Sequence, residues 1–441
     1  HTRYIGDWSS DVCSSRSKEG VDNSLTKDMP IVIEDNSLVK IEKIGDLIDQ
    51  KMKEIKPESL KNGQLERLKI SGLKTLCFNR ENLTLELKEI STLFRHKVNS
   101  DIYRVTLKGN RYADLTDYHS IFGFRDGRIK PMKTSELKEG DYLVVPNGKW
   151  DTPLILEIDL LEELLKLTPQ ETEKIGIYGI NKIFLDIREQ LLAILPSNKK
   201  YRINDFRKCD RIPFNILREI TVDRRIFDHC TVDFMFGKHK IKTKIPITKD
   251  LAEFLGIYIA EGSISGGHKV NLSFGSHEKD LTTYAKNLFK TVWDQKATIA
   301  KAHHTAVNFV INSTILAFIL KKIFEVGNKA NTKRIPKFVF NFPENYREKF
   351  LIAYLAGDGY PSKEIFSCMK KQKTLTKIQV ERITLATASK DLCSDLFYLL
   401  SSIGIDCTFD VNKPETRILL GKKPNFSDSY ILYIYIKQGI S

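Results

Sequence analysis

Cysteine is scarce and scattered. The 441 residues hold seven (Cys13, Cys77, Cys209, Cys230, Cys368, Cys393 and Cys407), and no two form a C-x-x-C pair. That spacing indicates neither a zinc site nor a disulfide framework, and it fits a reducing, cytoplasmic setting. Long apolar runs are missing as well. None approaches the ~20 residues a membrane-spanning helix needs, so no membrane partner is expected. Negative charge is also in short supply: 56 Asp and Glu stand against 70 Lys and Arg, a net charge of +14. A surplus of that size points to a polyanionic partner, most simply nucleic acid, although a merely basic protein would show the same balance. What is present is ordinary for a soluble globular chain, with 41% hydrophobic and 29% charged residues. The length exceeds what one core usually supports, which predicts two or three domains.

Two stretches stand out. Residues 254–262 read Phe-Leu-Gly-Ile-Tyr-Ile-Ala-Glu-Gly, and residues 351–359 read Leu-Ile-Ala-Tyr-Leu-Ala-Gly-Asp-Gly. Each is an apolar, helix-like run closing on a carboxylate and a glycine. One copy alone would suit a core helix with a glycine stop. A carboxylate at the end of a buried helix is costly without a partner. Two such acids, at matching places in two repeats, suggest a pair gathered around a shared cation.

Taken in order, residues 1–15 show neither helical nor strand periodicity and resemble the translation of a sequencing-adapter remnant, so residues 1–23 are set aside as an artefact plus a host-protein remnant. From Ser24 the pattern turns globular. The strand-like Ile31-Val32-Ile33, the turn Asp35-Asn36-Ser37 and a second strand through Ile41 lead into a short helix at Gly45–Ile48. Alternating runs at 83–88 and 102–107, with turn signals at Gly109-Asn110 and Asp126-Gly127, predict an all-β domain over 24–150.

Within that domain, Gly109-Asn110-Arg111-Tyr112-Ala113-Asp114-Leu115-Thr116-Asp117-Tyr118-His119-Ser120, preceded by Arg95-His96-Lys97 and followed by Gly140-Asp141, resembles the Hint domain of inteins. The match rests on a basic strand, then Thr-x-x-His-Ser, a strand, a turn and a Gly-Asp strand. The resemblance implies protein splicing. Ser24 would be the nucleophile, Asn23 the last residue of a host protein joined in cis, and the first step an N-to-O acyl shift without a cofactor. His119 suits protonation of the leaving nitrogen, and Thr116 would hold the scissile carbonyl or orient the imidazole.

Residues 151–245 differ in character. The spans 154–167 and 175–195 predict helices. A basic run interleaved with aromatics follows: Lys199, Lys200, Tyr201, Arg202, Phe206, Arg207, Lys208, Arg211, Arg218, Arg224 and Arg225. It would suit phosphate contacts in a DNA-recognition insert, and would serve equally as a solvated basic face.

The two carboxylate-ended stretches are similar to the signatures of LAGLIDADG homing endonucleases, which are often nested in inteins. The resemblance implies an α+β domain over 246–441 with pseudo-twofold αββαββα repeats, a monomer whose strands read a long double-stranded DNA site. Gly256, with Ala353 at the matching place, would let the two helices approach closely. Glu261 and Asp358 would be the catalytic acids and would hold Mg²⁺, a hard cation that takes few protein carboxylates. Lys437, closing a strand from Tyr430, resembles the lysine that polarises the attacking water.

The intein pattern should continue past Ser441 with two strands and a His-Asn pair, so the chain is expected to be C-terminally truncated and unable to complete splicing alone. Two other functions fit parts of the pattern: a LAGLIDADG maturase or regulator that binds nucleic acid without cutting it, and a Hint-type autoprocessing protein unrelated to DNA. Intact Glu261 and Asp358 favour cleavage over the first, and the charge and second domain speak against the other.

Overall fold

The computed structural model describes residues 2–8, 24–60, 64–97, 101–146, 149–303, 305–369, 375–412 and 428–436. They fold as two compact units, one of His1–Pro153 with Gly359–Ser441 and one of Leu154–Asp358. The division at Asp358 falls within the stretch 246–441 that the sequence pattern groups together. Lys43 pairs with Asp391 at 3.0 Å and Phe409 N–H donates to Gly109 O at 2.9 Å, so the segment after Asp358 bonds to the β-rich portion.

In the first unit the spine is the 14-residue strand Thr84–Lys97. Its first half pairs with Leu73–Asn79. Its second half is paired on both sides, by Leu65–Lys69 and by Thr2–Trp8. Residues Thr2–Trp8 form a strand here although their sequence shows no strand periodicity. An open strand edge offers backbone donors and acceptors to any extended segment, so pairing there needs no side-chain alternation. The hairpin Pro30–Asp35/Leu38–Lys43 turns at Asn36 and Ser37, both at positive φ (51° and 60°), the twist that tight hairpins favour. The helix Ile44–Glu54 follows, longer than the sequence suggested. It buries Ile44, Leu47, Ile48 and Met52 at helical spacing, and these pack with Met29, Ile33, Leu68, Leu73, Ile90 and Leu93 in one core. The expected turn at Asp126-Gly127, again at positive φ, closes the hairpin Ser120–Arg125/Arg128–Lys133. Later in this unit, strands Gly359–Met369, Leu375–Thr387, Ser429–Ile436 and Cys407–Asn412 form a four-stranded sheet in that order. The helix Lys390–Ser402 starts at Ser389, whose hydroxyl accepts from Leu392 N–H at 3.1 Å.

In the second unit two helix predictions need correction. Over 154–167 the chain first forms the strand Glu157–Asp159, paired with Lys244–Pro246, and only then the helix Leu160–Leu165. Asp159 caps that helix by accepting from Leu161 and Glu162 N–H at 2.9 and 3.1 Å, while Leu154 and Leu156 stay outside it, 61% and 76% exposed. Over 175–195, the wholly buried strand Ile175–Tyr178 comes first. Gly179, at φ 88°, ends it, and the helix Phe184–Ile194 follows. A short buried run with β-branched Ile175 and Ile177 reads equally as strand or helix until the neighbouring strands decide it. Here Arg211–Pro213 and Thr231–Phe234 pair with it on either side.

The helix Lys249–Glu261 begins at Thr248, whose hydroxyl accepts from Leu251 N–H at 3.1 Å, and is buried from Leu251 through Ala260. The strands Gly262–Ser265, Lys269–Gly275, Ala306–Asn312 and Thr298–His303 form a sheet in that order, with the helix Lys279–Trp293 crossing over between them. The helix Glu344–Asp358 closes the unit and packs against Lys249–Glu261. After Lys249–Glu261 the chain runs strand, strand, helix, strand, strand, and after Glu344–Asp358 the described elements follow the same order.

Candidate functional site

Ser24 precedes the two-residue strand Leu25–Thr26, which pairs with Leu115 in the strand Tyr112–Thr116. That pairing brings Ser24 against Thr116, 92 residues away. Ser24 N–H donates to Thr116 Oγ1 at 3.0 Å, and Thr116 N–H donates back to Ser24 O at 3.1 Å. The sequence pattern anticipated this pair. It did not anticipate the third member: Ser24 Oγ lies 2.7 Å from His96 Nε2. Ser24 is 1% exposed, Thr116 2% and His96 8%. Polar groups so enclosed are costly unless hydrogen-bonded, and these satisfy one another.

His119 is held mainly by its backbone. Its N–H donates to Thr116 O at 3.2 Å, and its carbonyl accepts from the N–H and the hydroxyl of Thr134 at 2.9 and 2.8 Å. Its Nδ1 is shielded from solvent and, among the described residues, has no hydrogen-bond partner. Burial pushes the imidazole down to about 4, so the ring is neutral at pH 7.

A second constellation lies in the other unit. A Cβ on Gly256 would sit 2.3 Å from Phe350 O and 2.9 Å from Ala353 Cβ; one on Gly357 would sit 2.6 Å from Ala260 Cβ and 3.1 Å from Glu261 Oε1. The two signature helices thus approach as only glycine allows, and their acidic ends come together. Burial, then the charge of Asp358, pushes Glu261 up to about 7. Burial also raises Asp358, opposed by Lys333. Lys333 Nζ donates to Ile259 O and Ala260 O at 2.7 and 2.6 Å, completing the last turn of the first signature helix. Burial lowers this ammonium, and Asp358 and Glu261 oppose the change. Among the described residues Lys333 lies beside the acids; in sequence it shows only as part of the basic run Lys333-Arg334. Lys437 lies outside the described residues.

The pair suits Mg²⁺. Two half-buried carboxylates, one made weakly acidic by burial and by the other's charge, form a hard-oxygen donor set whose repulsion Lys333 relieves only in part. Among the described residues no cluster of three or more His, Cys, Asp or Glu side chains is poised to hold a metal, and Glu261 and Asp358 are the carboxylates that would hold it.

The basic run of 199–225 divides. Arg218 donates to the carbonyls of Leu164, Leu165 and Leu167 at 3.1, 2.9 and 2.7 Å and so finishes a helix. Arg224 pairs with Glu162 and Arg225 with Asp223, both at 2.5 Å. Arg211 instead stacks 4.4 Å over Phe236, whose ring is 81% exposed, and Lys240 lies 4.6 Å over Tyr178.

Residues 31–401 match the family described as Intein splicing domain. The chain belongs to that family. This intein is 27% identical to a DNA polymerase of Thermococcus sp. (strain GE8), over 87% of its own length and 24% of the polymerase. An uncharacterized protein of Methanocaldococcus jannaschii is 29% identical over 76% of this chain and 36% of that protein. The chain thus spans about a quarter to a third of these relatives. Among solved structures, the transcription factor IIB Mvu mini-intein is 30% identical, with 30% of this chain and 71% of that one covered at a TM-score of 0.26. Variants of the homing endonuclease I-DmoI are 15% identical, with 42% and 82% covered at 0.28. At these scores the endonuclease reading has to rest on the acid pair. Among the described residues no helix is long and apolar enough to cross a membrane.

Proposed function

We propose that this intein forms an ester at the Asn23–Ser24 junction and also carries a Mg²⁺-dependent LAGLIDADG endonuclease that cuts double-stranded DNA at Glu261 and Asp358. The observation that carries the nuclease reading is the meeting of those two acids at helix ends where Gly256 and Gly357 leave no room for a side chain. An acid pair kept together against its own repulsion is a poor choice for stability and a good one for a cation. When bound there, Mg²⁺ would supply charge stabilisation at the scissile phosphate. Glu261 and Asp358 would hold it in their ionised forms. Lys333 would keep the two helix ends in place and moderate the carboxylate repulsion. The Arg211, Lys240 and Phe236 surface offers cations and an open aromatic face to nucleic acid.

For the splicing half, Thr116 fixes the amide of Ser24 through the two short bonds between them. The hydroxyl attacks the carbonyl of Asn23, and the chain before Ser24 passes from nitrogen to oxygen. His119, neutral at pH 7, serves the leaving nitrogen by hydrogen bonding and not as a standing charged acid. The host is a protein joined in cis, and the polymerase relatives make DNA polymerases the first hosts to examine.

Nicking of a randomised double-stranded DNA library with and without Mg²⁺ tests the nuclease. Wild type should cut only with the metal, and Glu261→Gln should not cut. Equal cleavage by both proteins refutes the role of the acid pair. Metal-independent binding by both, without cutting by either, would instead support a cleavage-inactive nucleic-acid-binding protein.

A further inference from the structure

His96 sits inside the long strand Thr84–Lys97, opposite Leu65 on one side and Arg3 on the other. A backbone laddered on both edges cannot shift without breaking two sets of hydrogen bonds, so the imidazole is presented from a fixed platform. The neighbouring Arg95 tightens it by pairing with Asp49 at 2.5 Å and Glu66 at 2.6 Å. The Ser24 hydroxyl lies 2.7 Å from His96 Nε2, within hydrogen-bond reach, and the imidazole tautomer sets which of the two donates.

A serine hydroxyl is a weak nucleophile. It must lose its proton as the bond to carbon forms, and a base within about 2.6–3.2 Å can take that proton directly. His96 meets this distance. His119 does not play the part, since its contacts to Thr116 run through its backbone.

We propose that His96 is the general base of the acyl shift, a catalytic residue that touches the reacting oxygen. In the Nδ1–H tautomer its Nε2 accepts the Oγ proton. The Oγ–C bond to Asn23 forms, the C–N bond to Ser24 breaks, and the imidazolium returns the proton to the freed nitrogen. An amide and a hydroxyl become an ester and an amine, with no net proton gained or lost. The inference rests on Asn23–Ser24 being the junction.

The test uses the full chain with hydroxylamine at pH 7, read by mass spectrometry as release of the peptide 1–23. The ester is cleaved by the added nucleophile, and the amide is not. His96→Ala and His96→Gln should each slow release by about 10²–10⁴-fold, the usual worth of a positioned base. In a Ser24→Cys background the same changes should cost less than about tenfold, because a thiol of pKa near 8.5 ionises without help. Glutamine keeps the hydrogen bond but is no base, and circular dichroism checks that each variant is folded. Equal losses in the serine and cysteine backgrounds, or a His96→Gln rate equal to wild type, would overturn the role of His96 while leaving the junction intact. Release that persists in Ser24→Ala, or is absent from wild type, would overturn the junction and the base together.

Discussion

Ser24 and Glu261 both sit where a polar group should be expensive, yet the molecule treats them in opposite ways. Around Ser24 every short contact is complementary: N–H to Thr116 Oγ1, carbonyl to Thr116 N–H, hydroxyl to imidazole. The groups are nearly closed to solvent, and His96 is fixed by sheet pairing on either side. Around Glu261 the contacts conflict. Two carboxylates share a tight helix seam, and Lys333 answers only part of their charge. The first arrangement is finished as it stands and suits chemistry performed on the chain itself. On the proposed reading the second would be finished by an added cation, and would suit chemistry on a substrate that arrives from outside. One consequence is that the two centres should fail separately.

The largest separation is expected from the acids. Asp358→Asn should lower Mg²⁺-dependent DNA cleavage on the order of 10³-fold, the several kcal/mol such a centre contributes. Hydroxylamine-dependent release of residues 1–23 should stay within about twofold of wild type. Parallel loss of both activities would remove the contrast between the sites.

Next in size is the seam. Gly256→Ala places a methyl group against Phe350 O and Ala353. Overpacking against backbone should cost about 1–3 kcal/mol of stability, measured by urea unfolding, and more of the nuclease than of the ester-forming activity. An unchanged unfolding midpoint would show that the helices can separate freely and that their close approach is not needed.

His119 offers a test of similar size through pH. Its native value, about 4, lies below its ordinary 6.5. Between those values the unfolded chain holds a proton that the native ring refuses. Stability is therefore intact above pH 6.5 and declines as pH falls toward 4, by about 1–3 kcal/mol. His119→Gln should lack this share of the acid limb, seen as a smaller difference in midpoint between pH 7 and pH 4.5. An identical acid limb in both proteins would place the imidazole in water.

Much of this was readable in the chain. Turn residues at Asn36-Ser37 and Asp126-Gly127, the Ser24 and Thr116 pair and the two carboxylate-ended helices all follow from local chemistry or from a motif with its spacing. His96 and Lys333 were visible as letters but not as parts of a site. His96 reaches Ser24 only because a 14-residue strand is registered against two others, and register between distant strands leaves no mark at a single position. Lys333 looked like a linker charge, and its ammonium finds the end of a helix 73 residues earlier. The spans 154–167 and 175–195 went wrong for a related reason: short apolar runs take their form from neighbours. In the structure Asp159 caps one and Gly179 breaks the other.

The smallest predicted effect bears most directly on the contrast between the sites. Glu261 has its native value near 7, against an ordinary 4.5. Here the native state holds a proton that the unfolded chain releases, so its contribution is fully present below pH 4.5 and is lost as pH rises through about 7. In metal-free buffer at pH 8, Glu261→Gln should be the more stable protein by on the order of 1 kcal/mol, a modest figure because the carboxylate is only half-buried and partly screened. At pH 4 the two should coincide. Adding Mg²⁺ at pH 8 should then raise the unfolding midpoint of wild type and leave that of Glu261→Gln in place, since only the ionised pair binds the ion. If wild type is the more stable protein without metal at pH 8, the repulsion is already relieved within the chain, and the seam is as complete as the pocket around Ser24.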